Sequence, residues 1–496
     1  MNNSQDRTGR APRARLADLF HAGPHRTQLL RTRRAAAGWF SAMALVAAGA
    51  ALMPPMGSTA LAEAPDAGPT AVARATRTPP PGTPLTSVSL TFDEGSNDQL
   101  AAAAILDKYA LHGTFFLNSG FVGQPGYMTR PDIQQLATDG HEIGGHTLSL
   151  ADLASMPPDE AVRQVCNDRV NLAAWGFKAT SFSYSFPTIT AETEAIVAGC
   201  GYNSARGMGT VATAVDCSGC APAEAARPAD LFNTRATSEV GAAWSLADLK
   251  ASVSNAEVAG GWLQLVFHAV DDAGGSRSVT PAVFDAFCAW LADLTTGGAT
   301  FVRTVHEVVG GVAQPVVAGP VPAPAAPGEN ALANPGLETP GQWGLPQCWR
   351  MSPYGANSPT FTIVPGHNGG TAARLEMAGY KNGDAKVLPA LDLGACAPTV
   401  LPGHSYDLSA WYTATESTQF ELYFRRADGS WTYWTASPWL APADTFSQAR
   451  WRTPPVPADA VALSFGLNLF DNGTLTTDDY FMTDAATTAS ATTAPH

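Results

Sequence analysis

From residue 86 onward two kinds of hydrophobic pattern alternate along the chain. Ser87-Val88-Ser89-Leu90-Thr91-Phe92 interleaves apolar and small polar positions and reads as a buried strand. Residues 99–109 carry the alanine-rich apolar spacing of a helix, closed by Leu111-His112-Gly113, and 114–118 return to a strand. Strand, helix and strand in that order predict a parallel βαβ unit. The alternation continues with helices over 130–139, 158–175, 191–200 and 281–294. The strands between them fall at 140–146, 180–184, 202–206, 262–268 and 299–303. Such repetition over about 225 residues predicts an α/β fold, a distorted (β/α) barrel of about seven parallel strands.

After this domain, expected at 86–311, the texture changes. Residues 312–328 are Pro, Ala and Val and read as a linker, as do the Ala, Pro, Thr and Gly of 63–85. From 329 to 486 short β-rich runs recur between Gly, Pro and Asn, at 360–364, 372–377, 406–413, 420–425, 432–435 and 461–469. With no helical period among them, they predict an all-β, jelly-roll-like sandwich. The Ala- and Thr-rich end, 487–496, reads as a disordered tail.

In the barrel pattern, chemistry-bearing residues fall at strand ends. The strand through Phe92 breaks into Asp93, Glu94 and Gly95; another delivers His146; a third, Trp262-Leu263-Gln264-Leu265-Val266-Phe267, ends in His268. Parallel barrels collect their sites at the carboxyl ends of strands, so these four are the candidate site. Adjacent acids point different ways, so one can hold a cation while the other handles a proton. A histidine titrates near neutrality and can pass a proton to a leaving group. The alternatives are a solvated acidic turn at Asp93-Glu94 and a hydrogen-bonded core histidine at 268.

Composition narrows the setting. Apolar residues make up 45% and charged residues 15%, as in globular proteins, and the formal charge is −14. Residues 1–62 hold eight Arg against two Asp, so the remainder carries about −20 and is poorly suited to nucleic acid. Arg31, Arg33 and Arg34 precede an apolar stretch from Ala35 to Met53, and Ala60-Leu61-Ala62 offers a small-x-small cleavage site. This order predicts an export signal, with an uncleaved anchor as the alternative, no stable membrane insertion after cleavage, and a secreted or cell-wall-associated product of bacterial-type export. Seven cysteines in an exported chain predict disulfides with one thiol left over; Cys348 with Cys396 is the readiest pair.

The motifs together resemble the polysaccharide deacetylases of the nodulation-type chitooligosaccharide deacetylase homology domain. The resemblance covers Thr86 to Gly311. It rests on Thr91-Phe92-Asp93-Glu94-Gly95, Gly113-Thr114-Phe115-Phe116, Gly140-His141-Glu142-Ile143-Gly144 and Leu265-Val266-Phe267-His268. It implies Asp93 as general base, His268 as general acid, and Glu94 and His146 as ligands of a divalent metal, Zn first and Co or Mn as alternatives. Phe182-Ser183-Tyr184-Ser185-Phe186-Pro187 is similar to a third motif, which assigns Tyr184 a catalytic place near the oxyanion and Phe186 a substrate-binding one. The arginine usual in that motif is absent; Arg235 is similar in place to one that other members supply from a later strand, with an ordinary surface residue as the alternative.

The family's second motif, His-(Ser/Thr)-x-x-His, reads His146-Thr147-Leu148-Ser149-Leu150 here, so the second histidine is missing. Ser149 and Asp152 are nearby oxygen donors that could replace it. The resemblance implies a metal-assisted hydrolase removing acetyl groups from an N-acetylglucosamine polysaccharide, peptidoglycan or chitin-like. The alternative is an inactive glycan-binding relative that lost its third metal ligand at Leu150. The sandwich resembles carbohydrate-binding modules through Asn334-Pro335-Gly336-Leu337-Glu338 and Thr477-Asp478-Asp479-Tyr480-Phe481. Trp431 and Trp434 are its candidate sugar-stacking residues, although neighbours on a strand alternate sides and only some such rings can face a ligand.

Overall fold

The computed structural model describes residues 78–486. The export signal at 1–62, most of the 63–85 linker and the tail at 487–496 lie outside the described residues. Among the described residues no helix is long and apolar enough to cross a membrane.

The first domain is a β/α alternation: β1 (Thr86–Phe92), α1 (Gln99–Lys108), β2 (Thr114–Leu117), α2 (Arg130–Thr138), β3 (Glu142–Gly145), α3 (Pro158–Ala174), β4 (Ser181–Ser183), α4 (Ala191–Gly199) and β5 (Ser204–Arg206). It continues with β6 (Glu239–Val240), α5 (Leu246–Ala259), β7 (Gly261–Phe267), β8 (Ala269–Val270), β9 (Ser278–Val279), α6 (Pro281–Thr295), β10 (Thr300–Val302) and α7 (Val305–Val309). The sheet order is β5-β4-β3-β2-β1-β7-β6, with parallel pairing throughout and β10 joined to the start of β1. The barrel of parallel strands is as the pattern predicts. The gap between β5 and β7 is closed by irregular chain: Thr234 N–H donates to the Ala205 carbonyl and Thr237 N–H to that of Gln264.

β1 lies at the centre because nearly every residue of it is buried, on both faces. Phe92 stacks on Phe115 and Phe267, and Phe284 of α6 meets its edge, tying the strands that carry the site to the helical layer. The helices begin at side-chain caps. Thr129, Thr190, Ser245 and Thr304 each accept an N–H three residues on in a reciprocal box. The box at Ser245 and Asp248 starts α5, which the apolar spacing alone does not announce.

The second domain holds β11 (Trp349–Tyr354), β12 (Pro359–Pro365), β13 (Thr371–Met377), β14 (Asp384–Pro389), β15 (Tyr406–Ala414), β16 (Phe420–Arg426), β17 (Trp431–Ala436), β18 (Ala443–Arg452), β19 (Ala460–Leu469) and β20 (Gly473–Asp484). They form two five-stranded antiparallel sheets, β11-β14-β19-β16-β17 and β12-β13-β20-β15-β18, around one apolar core. Trp434, half-buried, packs against that core on the side of the strand opposite to Trp431. Tyr433 pairs with Tyr423 across the ladder and Trp431 with Arg425, so these share the opposite, outer face with Lys386, which is buried between Asp384 and Glu421.

Residues 312–328 are extended as a linker would be, but they are strapped to α3. Arg169 donates to the carbonyls of Gln314 (2.7 Å) and Pro315 (2.8 Å), and the Gly319 N–H donates to Asn167 Oδ1 (2.9 Å). The sandwich also touches α3 directly: Asn171 Nδ2 donates to the Asp428 carbonyl and the Leu393 N–H to Glu160 Oε1, each at 2.7 Å. The disulfides are Cys166–Cys200, Cys217–Cys220 and Cys348–Cys396, and Cys288 is the free, buried thiol.

Candidate active site

Asp93 follows the last residue of β1, and its N–H is anchored on the Phe267 carbonyl of β7 (3.0 Å). Its side chain is fully buried and is held by Arg206 at the end of β5, itself buried, with Ser183 Oγ donating more weakly at 3.4 Å. Burial pushes the Asp93 carboxyl up, but Arg206, His146 and His268 outweigh it and bring it down to about 2. The acid is therefore ionised at neutral pH.

The next residue turns the chain sharply. Glu94 has φ of 77° and Gly95 of 76°, and a Cβ on Gly95 would meet Leu117 at 2.8 Å. A left-handed glutamate stores on the order of 1 kcal/mol of strain. The turn sends Glu94 to a different partner from Asp93: Arg277 Nη2 donates to its Oε1 at 2.7 Å.

His146 follows β3. Its N–H and that of Ser119 donate to Asp168 of α3, at 3.2 and 2.9 Å, and burial pushes that carboxyl up to about 7. The Nδ1 of His146 lies 2.8 Å from the Ser183 carbonyl, which can only accept, so Nδ1 carries the proton and Nε2 presents a lone pair. His268 follows β7 with Nε2 3.8 Å from Glu94 Oε1 and 3.6 Å from Glu239 Oε1. Burial holds both imidazoles below their ordinary range, His268 at about 3 despite the nearby Asp93 charge. Both are neutral at neutral pH. Gln99 clamps the two strand ends, its Nε2 donating to the carbonyls of Asp93 (2.5 Å) and His268 (2.8 Å).

The structure thus brings Asp93, Glu94, His146 and His268 to one end of the sheet. It separates others from them. Arg235 is exposed, its N–H donating to Glu224 Oε2, and the guanidinium beside Asp93 is that of Arg206. Tyr184 is buried with its N–H on the Arg206 carbonyl (3.2 Å) and its hydroxyl on the Phe232 carbonyl (3.0 Å), so neither group is free for an oxyanion. Phe186 is half-buried beyond it. Arg277 and Glu239 were missed by sequence reasoning. Nothing local marks Arg277, which meets Glu94 across 183 residues, whereas Glu239 sits on a two-residue strand too short for a pattern.

The residues do not make a three-ligand metal centre. Among the described residues no group of three or more His, Cys, Asp and Glu side chains is placed to hold a metal ion. Thr147 (φ 67°) and Leu150 (φ 56°) are left-handed, so 146–150 is not the helical turn that would set position 150 over His146. Ser149 is hydrogen-bonded to Gln164, and Asp152 caps the short turn at 153–155. Neither substitutes for the missing histidine.

Residues 81–205 match the family model described as polysaccharide deacetylase. The N-terminal domain is a polysaccharide deacetylase domain. The matched stretch spans β1 to β5 and carries Asp93, Glu94 and His146; Arg206, Glu239, His268 and Arg277 of the deacetylase domain lie beyond it. Solved structures similar to the chain include a family 4 acetyl xylan esterase from Clostridium thermocellum in complex with a cobalt ion (20% identity, 45% of this chain and 89% of the other, TM-score 0.32). A peptidoglycan deacetylase from Bacillus subtilis aligns at 15% identity over 45% of this chain and 90% of the other, TM-score 0.28. A family 11 carbohydrate-binding module of a cellulosomal cellulase from Clostridium thermocellum aligns at 10% identity over 28% of this chain and 88% of the other, TM-score 0.22.

Proposed function

We propose that the deacetylase domain hydrolyses acetyl groups on an N-acetylglucosamine-containing polysaccharide, peptidoglycan or chitin-like, outside the cell. The observation that carries this reading is the buried, ionised Asp93, paired with Arg206 and flanked by His146 and His268 at the carboxyl ends of the strands. Water adds to the acetyl carbonyl carbon while the Asp93 carboxylate accepts its proton. The tetrahedral adduct then collapses, the C–N bond breaks, and the amine nitrogen takes a proton from His268 as acetate leaves. Because His268 is neutral in the free site, the proton it delivers is the one Asp93 took from water, and passing it on to the amine returns both groups to their starting states. His146, locked by Asp168 and Ser183, sits buried at the same strand ends. The outer face of the sandwich, with Trp431, Tyr423 and Tyr433, offers rings to sugar.

A second reading is a glycan-binding relative that does not cut. Two observations favour it: Leu150 in place of a histidine, and Glu94 committed to Arg277. Acetate release from chitooligosaccharides and peptidoglycan, measured with chelator and with added Zn, Co or Mn, separates the two. Release that disappears in Asp93→Asn supports the hydrolase. A silent parent that Leu150→His awakens supports the binding reading.

A further inference from the structure

Arg277 stands where the pocket most needs a positive charge. Its Nη2 is 2.7 Å from Glu94 Oε1, its Nε is 3.2 Å from Glu239 Oε2, and both acids approach His268 Nε2. The Nε contact is within ion-pair range without the alignment of a hydrogen bond. The loop that delivers it is fixed. β8 and β9 pair at Ala269 with Ser278 and Val270 with Val279, and the Ser276 carbonyl accepts the Ala242 N–H at 3.1 Å. A Cβ on Gly241 would meet that same carbonyl at 2.1 Å, so glycine is what lets the loop lie this close to the end of β6. The Arg277 side chain keeps 35% of its surface open and so can meet a ligand.

We infer that the Arg277 guanidinium, and not a divalent cation, is the electrophilic charge of this pocket, holding Glu94 and facing the oxyanion that forms when water adds to the acyl carbonyl. Glu94 is the one carboxylate free of Arg206 that the turn after β1 supplies, and a guanidinium already neutralises it. His146 offers a single nitrogen lone pair, and position 150 offers none. Guanidinium hydrogen bonds to an oxyanion are charge-assisted and directional. A guanidinium cannot bind and acidify water as a metal does, so proton removal falls wholly on Asp93. No bond to Arg277 forms or breaks in the step.

This inference rests on the hydrolase reading for its catalytic half but not for its electrostatic half, and the experiment keeps them apart. The full chain, Arg277→Ala, Arg277→Lys, and Arg277→Ala combined with Glu94→Gln are dialysed against Co²⁺ and against Zn²⁺, then assayed for bound metal and for cobalt d–d absorption. The parent and Arg277→Lys are expected to retain no more than the blank. Arg277→Ala, which strips Glu94 and Glu239 of their guanidinium beside the neutral His268, takes up cobalt above the blank, and the double variant loses it. Stoichiometric metal in the parent, or none in a folded Arg277→Ala, overturns the inference. In the acetate assay the parent is expected to be indifferent to chelator. Arg277→Ala falls roughly 100-fold in kcat with little change in KM, and lysine restores part of it. A parent silent on every polymer removes the hydrolase reading, while metal uptake still decides what Arg277 does.

Discussion

Replacing Arg206 by methionine removes the one strong partner of a fully buried carboxylate. Asp93 and Arg206 have side-chain exposures of 0% and 1%, and among the described residues the only other donor to the carboxylate is Ser183 Oγ at 3.4 Å. Breaking a buried pair by deleting one member costs about 3–5 kcal/mol, because the remaining charge is stranded away from water. Removing both members is far cheaper. Arg206→Met with Asp93→Asn is therefore expected to recover at least about 2 kcal/mol of the single-variant loss, a coupling typical of contacting residues. The pH dependence gives a second check. In the parent, Asp93 titrates at about 2, below its unfolded value of 3.8, so its contribution is present above pH 3.8 and lost as pH falls through 2. Without Arg206 burial dominates and raises the folded-state pKa above 3.8, so the folded form then binds more protons than the unfolded. The loss in Arg206→Met should consequently be larger at pH 8 than at pH 5. Urea unfolding followed by circular dichroism at the two pH values reads both effects. A loss under about 1 kcal/mol, or one equal at both pH values, refutes the reasoning about a buried, arginine-held base.

Three further outcomes are expected. His268 titrates at about 3 in the fold and near 6.5 when unfolded, so the unfolded chain binds the extra proton between these values and stability falls as pH drops through that window; His268→Gln should show a shallower loss of melting temperature between pH 7.5 and 4.5. Trp434→Ala opens the sandwich core and should lower stability by about 2–4 kcal/mol in denaturant unfolding, whereas Trp431→Ala should cost less and weaken retention on insoluble glycan. Replacing Cys166 and Cys200 by serine frees a loop with a sequence separation of 34 and should cost roughly 4 kcal/mol, read as a lower unfolding midpoint in urea.

Chain-local patterns carried the β/α order, the central strand and the histidines after β3 and β7, because strand burial and helix spacing are set within a few residues of where they are read. Asp93 was legible for the same reason: a buried strand of alternating apolar and small polar residues that stops at two acids can only present them at its end. The change to a sandwich was legible in the loss of helical spacing after residue 329. The outer-face placement of Trp431 and the core placement of Trp434 were not, since a strand's period says that they differ in side without saying which side is core.

What the tertiary structure alone decided is the pairing of charges. Arg206 and Arg235 both follow short, weakly patterned stretches, and only the curl of the sheet puts the first on Asp93 and leaves the second in solvent. Glu94 meets Arg277 because a left-handed turn redirects the glutamate while the β8–β9 loop, anchored beside Gly241, brings the arginine back from far along the chain. Coulomb attraction acts through space, and no periodicity in sequence records which distant charge the folded chain sets at close range.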